Sequence, residues 1–173
     1  MPRTEWRSWS TRGEPGRVND GTGPRIEPCA LHSLEEWAVM RHALWPEAPV
    51  QDHLSDAQAM LWEQKKAAAF LVRLPDGTAA GFAEAALRHD YVNGCSTSPV
   101  AFLEGIYVEP EHRHRGLARL LCRAVEAWAR RHGCREFASD ALLANTASHG
   151  MHEALGFEET ERIVCYRKPL SSS

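Results

Sequence analysis

A cluster of cationic side chains surrounds one glycine of the sequence. Arg113, His114, Arg115 and Arg119 flank Gly116, where a turn passes into the most regular helical pattern of the chain. The N–H groups at a helix start lack partners within the helix, and the helix dipole adds positive potential there. Glycine lets the backbone approach a phosphate closely, and arginines supply further donors. The turn therefore predicts an anion site suited to pyrophosphate. The alternative is an arginine-rich turn that only faces solvent.

Two regular elements must position this turn. An apolar strand is predicted at Val100–Val108, directly before a Glu-Pro-Glu sequence. A helix is predicted at Gly116–His132, because leucine, alanine, valine and tryptophan recur there at helical spacing. Gly133 follows as a helix terminator.

Apolar periodicity and turn residues predict the remaining elements and a mixed α/β domain with helices packed on a sheet. Residues 1–24, rich in Gly, Pro, Ser, Thr and Arg, are expected to form a flexible extension. Residues 25–170 are expected to fold as one domain, with residues 171–173 as a tail. The other predicted strands are Arg25–Cys29, Ala68–Leu74, Ala79–Leu87, Glu136–Asp140 and Thr160–Arg167, and the other predicted helices are Leu34–Leu44, Leu54–Lys66 and Thr146–Leu155.

Composition argues against several classes of protein. A net charge of −3 over 173 residues gives no basic field for nucleic acid. No apolar run approaches the roughly 20 residues that span a bilayer, and the first residues lack the apolar stretch of a signal peptide. We therefore expect a cytoplasmic protein without a membrane partner. The five cysteines are scattered, and His149 and His152 have no further ligand cluster, so neither a disulfide framework nor a metal site is expected.

The cationic turn has the form of a known signature. Arg113-His-Arg-Gly116-Leu-Ala118 resembles the acetyl-CoA motif R/Q-x-x-G-x-G/A of the GNAT superfamily of N-acetyltransferases, and Ala154-Leu-Gly-Phe157 fits the same family. The resemblance implies an α/β fold of GNAT type, with a mixed, mostly antiparallel central sheet flanked by helices. It also implies acetyl-CoA as co-substrate, with its pyrophosphate in the turn and its pantetheine arm along the preceding strand. The residues that it assigns to acetyl-CoA are Ile106, Val108, His114, Arg115, Gly116, Leu117, Ala118, Arg119 and Asn145.

Six longer strings carry a closer resemblance. They are Leu44-Trp45-Pro46, Arg88-His-Asp-Tyr-Val-Asn-Gly94, Ser98-Pro-Val100, Phe102-Leu-Glu-Gly-Ile106, Ala138-Ser-Asp140 and Gly156-Phe-Glu-Glu-Thr-Glu-Arg162. These strings resemble the aminoglycoside 6′-N-acetyltransferases, most of all the chromosomal enzymes of Gram-negative bacteria. The resemblance implies acetyl transfer to the 6′-amine of an aminoglycoside antibiotic, hence resistance. It also implies a homodimer, in which a last strand ending in Val164, Cys165 and Tyr166 takes part. The N-terminal extension has no counterpart in this pattern.

By position, the same resemblance assigns five side chains to the aminoglycoside: Trp45, Tyr91, Glu104, Asp140 and Glu161. An aminoglycoside carries several ammonium groups and many hydroxyls, so carboxylates and flat aromatic faces suit it. Ala48 departs from the pattern, since some relatives have a histidine there that touches the drug. Plainer roles are a core position for Trp45, a solvent-facing strand position for Glu104, a turn for Asp140 and a surface charge for Glu161.

The expected mechanism is direct transfer in a ternary complex. Because the acceptor amine is mostly protonated near neutral pH, a carboxylate must accept a proton, with Glu104 as first candidate and Asp140 as second. The backbone N–H of Val108 is expected to polarise the thioester carbonyl. Tyr166 is the expected acid towards the departing thiolate, because GNAT enzymes often use a tyrosine. Two alternatives are a GNAT enzyme for another amine, such as a polyamine or a protein N-terminus, and a module that binds acyl-CoA or antibiotic without turnover.

Overall fold

One five-stranded sheet organises the residues that this computed structural model describes, which are 23–63 and 65–170. The predicted extension, except its last two residues, and the predicted tail lie outside these residues. The strands are β1 (Arg25–Pro28), β2 (Ala67–Arg73), β3 (Ala79–Arg88), β4 (Val100–Val108) and β5 (Phe137–Ser139). The helices are α1 (Leu34–Leu44), α2 (Val50–Trp62), α3 (Leu117–Arg131) and α4 (Thr146–Leu155), with short 3-10 turns at Leu31–Ser33 and Pro110–His112.

The sheet follows the chain in the order β1-β2-β3-β4-β5. The first four strands pair antiparallel, whereas β5 pairs parallel with β4. A parallel neighbour needs a crossover connection, and α3 provides it. The predicted mixed, mostly antiparallel sheet flanked by helices is confirmed.

Helices cover both faces of the sheet. The buried face of α3, with Leu121 and Val125 at 0% exposure, packs on Val72 and Ala83 and on other side chains of one sheet face. Helices α1 and α2 pack on the opposite face, where Trp37 is also fully buried. Burial of each such large apolar side chain stabilises the fold by about 1.5–3 kcal/mol. Among the described residues no helix is long and apolar enough to cross a membrane.

Two predicted elements differ from the structure. The second helix, Val50–Trp62, begins and ends four residues earlier than the predicted Leu54–Lys66, and Pro49, whose ring holds φ at −69°, is its N-cap. The predicted last strand at Thr160–Arg167 is wrong for the single chain. Residues 157–170 have no strand partner there, and Val164 and Tyr166 are 75% and 92% exposed. A strand needs a neighbour to satisfy its backbone, and β5 offers an edge of only three residues.

Candidate active site

The cationic turn joins β4 to α3 through two residues in the left-handed region. His114 has φ 59° and Gly116, the residue that caps α3, has φ 78°. Glycine takes this conformation at little cost. No side chain caps the start of α3, so its first N–H groups face outward beside exposed His114 and Arg115. This arrangement leaves donors and positive potential available for an anion.

The second half of β4 has an open edge. Parallel pairing with β5 is limited to Ala101, Phe102 and Leu103, opposite Phe137 to Ser139. Beyond Leu103 no described strand lies against that side of β4, although β3 stays paired on the other side to Val108. On this side the Val108 carbonyl accepts from Arg113 Nε at 2.9 Å, whereas no described strand pairs with Ile106. Ile106 and Val108, which the sequence assigns to the pantetheine arm, lie on this stretch.

A β-bulge marks the point where the strands part. Glu84 of β3 pairs with Gly105 and Ala85 pairs with Leu103, so Glu104 is the extra residue in β4. A bulge of this kind lets two successive residues face the same side of a sheet. Gly105 contacts Trp45 and Leu44 of the α1 face, and Glu104 contacts Arg88 beside the Phe102 ring. The bulge thus brings the Glu104 carboxylate to the face that carries Trp45.

Glu104 forms a two-pronged ion pair with Arg88. Arg88 Nη2 donates to both carboxylate oxygens at 3.1 and 3.0 Å, while its Cζ lies 3.3 Å from the centre of the Phe102 ring. Both charged side chains remain partly open to solvent. The carboxylate is therefore held in place and can still be reached by a cationic ligand.

Asp140 lies at the same level of the sheet as Glu104. Leu103 and Ser139 are register partners, and Ser139 Oγ donates to the Leu103 carbonyl at 3.3 Å. Parallel neighbouring strands lie about 4.8 Å apart. Glu104 follows Leu103 within β4, and Asp140 directly follows the last residue of β5, so the two residues lie at the same end of the β4–β5 pair.

Trp45, at the C-terminus of α1, is packed on one side and open on the other. Its ring meets Phe82 edge-on, with centres 6.2 Å apart, and stacks beside His53 at 6.3 Å. His53 Nε2 also donates to the Trp45 carbonyl at 2.9 Å. Trp45 remains partly exposed. Trp45 therefore has the core contacts of one alternative, and its role as a surface for the ligand remains a prediction.

Tyr91 belongs to a loop that Glu136 anchors. Tyr91 is 77% exposed. The Glu136 carboxylate accepts hydrogen bonds from the Thr97 hydroxyl, from Thr97 N at 2.6 Å and from Ser96 N at 2.9 Å. These bonds, the Thr97 hydroxyl first, lower the pKa of the Glu136 carboxyl. Val92, 6% exposed, fixes the middle of the loop in a small apolar cluster.

Helix α4 lies next to the start of α3. Its cap is Asn145, whose Oδ1 accepts from Ser148 N at 3.1 Å. Arg119 reaches across to α4, where Nη2 donates to the Ala154 carbonyl at 2.6 Å. Asn145 and Arg119, both predicted to bind acetyl-CoA, thus also stabilise the α4 ends. Leu117 is buried, so only its backbone can serve a ligand.

The structure does not bring the two C-terminal candidates into the cleft of the single chain. Glu161 and Tyr166 belong to the exposed segment 157–170. Near the beginning of this segment, Thr160 lies against the loop that carries Tyr91. It leaves no room there for a Cβ on Gly94. Their roles as substrate and acid residues remain predictions. In the described part of the chain, no three His, Cys, Asp or Glu side chains form a group that could hold a metal.

Several residues of the site were not found from the sequence. They include Arg88, Glu136 and a buried carboxylate, Glu84, in the middle of β3. One signal was available for Glu84, since it is a lone charge within an apolar strand, as Glu104 is. Arg88 and Glu136 gave no such signal, because charged residues at strand ends are ordinary.

Comparison with known families identifies the class of protein. Residues 34–157, well over half of the chain, match the model of the Acetyltransferase (GNAT) family. The chain belongs to this family of acetyltransferases, in agreement with its mixed, mostly antiparallel sheet flanked by helices.

Curated relatives narrow the comparison. An enzyme of Salmonella enteritidis named aminoglycoside N(6′)-acetyltransferase type 1 is 52% identical over 135 residues, covering 78% of this chain and 92% of the relative. A protein of Serratia marcescens with the same name is 48% identical over 142 residues, covering 82% and 97%.

Solved structures agree with this grouping. AAC(6′)-Iy in complex with the bisubstrate analogue CoA-S-monomethyl-acetylneamine is 48% identical, with a TM-score of 0.80 over 85% of this chain and 99% of that chain. The 6′-N-acetyltransferase AAC(6′)-Ih from Acinetobacter baumannii is 44% identical, with a TM-score of 0.81 over 86% and 100%.

Proposed function

We propose that this chain transfers the acetyl group of acetyl-CoA to the 6′-amine of aminoglycoside antibiotics and so confers resistance. The observation that carries the proposal is the Glu104 carboxylate, which the β-bulge brings to the sheet face that holds Trp45, with Asp140 directly after the end of the neighbouring strand β5. Anionic and aromatic groups together suit a cationic sugar. Similarity to enzymes that are named for this activity supports the same substrate.

The donor side fits acetyl-CoA. The uncapped N–H groups of α3, with exposed His114 and Arg115, suit the pyrophosphate. The open edge of β4 around Ile106 and Val108 suits the extended pantetheine arm, whose amides need backbone partners. The thioester then lies near the β-bulge, where the acceptor groups also gather.

Transfer proceeds by direct attack of the neutral amine on the thioester carbonyl. Glu104, or Asp140 in its place, removes the proton that keeps the amine from attacking. The carbonyl oxygen gains negative charge as the C–N bond forms, and the Val108 N–H is positioned to stabilise it. The C–S bond then breaks, and the nitrogen, which became positively charged on attack, releases its extra proton to solvent and is left as a neutral amide. The thiolate of CoA leaves with a proton for which Tyr166 is the predicted donor.

The buried thiols of Cys29 and Cys122 do not suit a covalent cysteine intermediate. Burial raises the pKa of Cys122 to about 12 and also raises the pKa of Cys29. The thiolate is the reactive form, so these two side chains stay inert at neutral pH. The described cysteines are all free, which fits a reducing compartment, and the proposed location is the cytoplasm.

The exposed C-terminal segment supports the proposal of a homodimer. Ile163, Val164 and Leu170 are 65%, 75% and 88% exposed in the single chain. A second copy would cover these side chains and supply the neighbour that an extended segment needs. Val164→Asp is expected to convert dimers to monomers in sedimentation, whereas Glu158→Asp, in the same segment, leaves the mass unchanged. A monomeric wild-type protein contradicts the dimer.

The substrate class is tested by thiol release from acetyl-CoA with different acceptors. Kanamycin, tobramycin, amikacin and gentamicin are compared with spermidine and with a peptide that has a free N-terminus. Turnover that depends on an aminoglycoside supports the proposal. Turnover with spermidine or the peptide alone moves the activity to another amine, and binding of acetyl-CoA without any turnover points to a non-catalytic module.

A further inference from the structure

A buried carboxylate occupies the middle of β3. Glu84 is 2% exposed in an otherwise apolar stretch of strand. Trp37 Nε1 donates to its Oε1 at 2.7 Å, and the Arg41 guanidinium donates to its Oε2. Burial raises the pKa of the Glu84 carboxyl, and the charge of Arg41 opposes that rise. A buried ion pair does not by itself stabilise a fold. Stability alone therefore does not explain why a charged pair occupies this position.

Arg41 connects this pair to the acceptor side of the site. Its Cζ lies 5.0 Å from the centre of the Trp45 ring and 5.9 Å from that of Trp37. Its other terminal nitrogen is 3.7 Å from Asp56 on α2. Arg41 is itself 8% exposed. Desolvated guanidinium groups interact strongly with tryptophan faces, so the orientation of Arg41 bears directly on that of Trp45.

Gly105, the register partner of Glu84, also limits the position of Trp45. A Cβ at Gly105 would lie 2.5 Å from Trp45 Cη2 and 3.1 Å from Leu44 Cδ2. Real side chains do not approach so closely, so the indole ring occupies the space that glycine leaves. Glu104 directly precedes Gly105, and the bulge places its side chain on the same sheet face. The position of the Trp45 ring therefore determines one side of the space beside the Glu104 carboxylate.

We infer that Glu84 and Arg41, together with Gly105, are positioning residues that hold the Trp45 ring beside Glu104 and thereby set the binding of the acceptor sugar. The inference rests on the proposed function, since it takes Trp45 as a surface for that sugar. Glu84 and Gly105 are register partners on β3 and β4, and Arg41, which is paired with Glu84, contacts the Trp45 ring directly.

The first test replaces the buried charge by an amide of the same shape, Glu84→Gln. Loss of the charge loosens Arg41, and the Trp45 ring shifts. A small displacement of a binding wall is costly, so the KM for kanamycin is expected to rise roughly tenfold. The KM for acetyl-CoA and kcat are expected to change less than about twofold, because the donor site is separate.

Glu36→Gln is the matched control. Glu36 also lies on α1 and accepts from a buried arginine of the sheet, Arg73, at 2.9 and 3.2 Å. This second pair lies near the other end of α1 from Trp45. Glu36→Gln is expected to leave both KM values unchanged, even where it lowers the melting temperature. An equal rise of the kanamycin KM in both variants would reduce Glu84 to a structural role.

A double-mutant cycle asks whether Glu84 acts through Trp45. If it does, Glu84→Gln added to Trp45→Ala changes the kanamycin KM less than twofold beyond Trp45→Ala alone. Full additivity of the two changes overturns the inference.

A readout that needs no activity uses 5-fluorotryptophan and 19F NMR. The chain has six tryptophans, and Trp45→Phe identifies the Trp45 signal by its disappearance. The signal is expected to shift in Glu84→Gln and to stay in place in Glu36→Gln. An unmoved signal in Glu84→Gln refutes the positioning role, whichever acceptor the enzyme uses, whereas a wild-type enzyme without aminoglycoside turnover refutes only the proposed function.

Gly105→Ala perturbs the ring independently, in case Glu84→Gln does not fold. The added methyl pushes on the indole, so the same 19F shift and KM rise are expected. Gly150→Ala in α4, where a Cβ meets no atom within 4 Å, is the control and should change neither. A folded Gly105→Ala variant with wild-type KM and signal overturns the inference.

Discussion

The proposed donor and acceptor sides of the site, which meet at β4, are built in different ways. The donor side is one continuous stretch of chain, from the open edge of β4 to Gly116 at the start of α3, and it relies on backbone N–H groups. The acceptor side combines side chains from four separate segments: Trp45, the loop of Tyr91, the bulge of Glu104 and the end of β5 at Asp140. A backbone site is preserved by any residues that keep its conformation, whereas a site of separate side chains depends on the contacts that hold each one.

The largest expected effect is that of Glu104→Gln. Glutamine keeps the shape and one acceptor for Arg88 but cannot take a proton, so kcat is expected to fall about 100- to 1,000-fold. The KM for acetyl-CoA should stay unchanged, because the donor side is separate. Steady-state kinetics measures both values. Glu126→Gln, which removes the carboxylate of another exposed arginine pair on α3, is the control and should retain wild-type activity. Wild-type kcat in Glu104→Gln removes this residue as the base.

A smaller effect is expected when the backbone on the donor side is strained. Alanine at Gly116, where φ is 78°, costs roughly 1–2 kcal/mol, and relaxation of the turn moves the N–H groups away from the pyrophosphate. The KM for acetyl-CoA is expected to rise about tenfold while that for kanamycin changes little.

Gly133→Ala is the matched control for this change. Gly133 follows the other end of α3 with φ 80° and open space around it, so the strain is the same. The melting temperature should fall by a similar amount in both variants, whereas only Gly116→Ala should bind acetyl-CoA more weakly. Equal KM values for acetyl-CoA in the two variants contradict a backbone anion site at Gly116.

The smallest effect is expected from the anchor of the Tyr91 loop. Glu136→Gln removes the charge that accepts from Ser96 and Thr97, so the kanamycin KM should rise by about threefold as the loop loosens. Because the pKa of Glu136 is lowered in the folded state, its ionised form adds stability above the pKa of an unfolded glutamate. That contribution is lost as pH falls through the lowered pKa.

Urea unfolding across a pH series checks this assignment. The wild type should be more stable than Glu136→Gln at neutral pH, and the two should converge in acid. A stability difference that is constant with pH would show that the Glu136 charge does not hold the loop.

The sequence was sufficient to locate the two elements that carry the proposed donor side, because the pattern that predicts them is local. Gly116, its flanking arginines and the preceding strand are adjacent in the chain, and helical and strand periodicity located α3 and β4 to within a residue or so. The acceptor residues Trp45, Glu104 and Asp140 came from resemblance to a family, since nothing local relates them.

What remained hidden depends on tertiary structure. The bulge at Glu104 is a mismatch of register between two strands, and neither strand records it alone. The pairing of Glu84 with Arg41 joins residues that are 43 positions apart. The C-terminal segment has the alternation of a strand, but a strand forms only beside a neighbour, and the single chain provides none.

The central claim is that this acceptor face presents one particular amine to the thioester. NMR of the product from kanamycin and acetyl-CoA, with assignment of the nitrogen that carries the new acetyl group, tests it most directly. Acetylation at the 6′-nitrogen is the result that the account predicts. Acetylation at any other nitrogen, or a mixture of several, would contradict it.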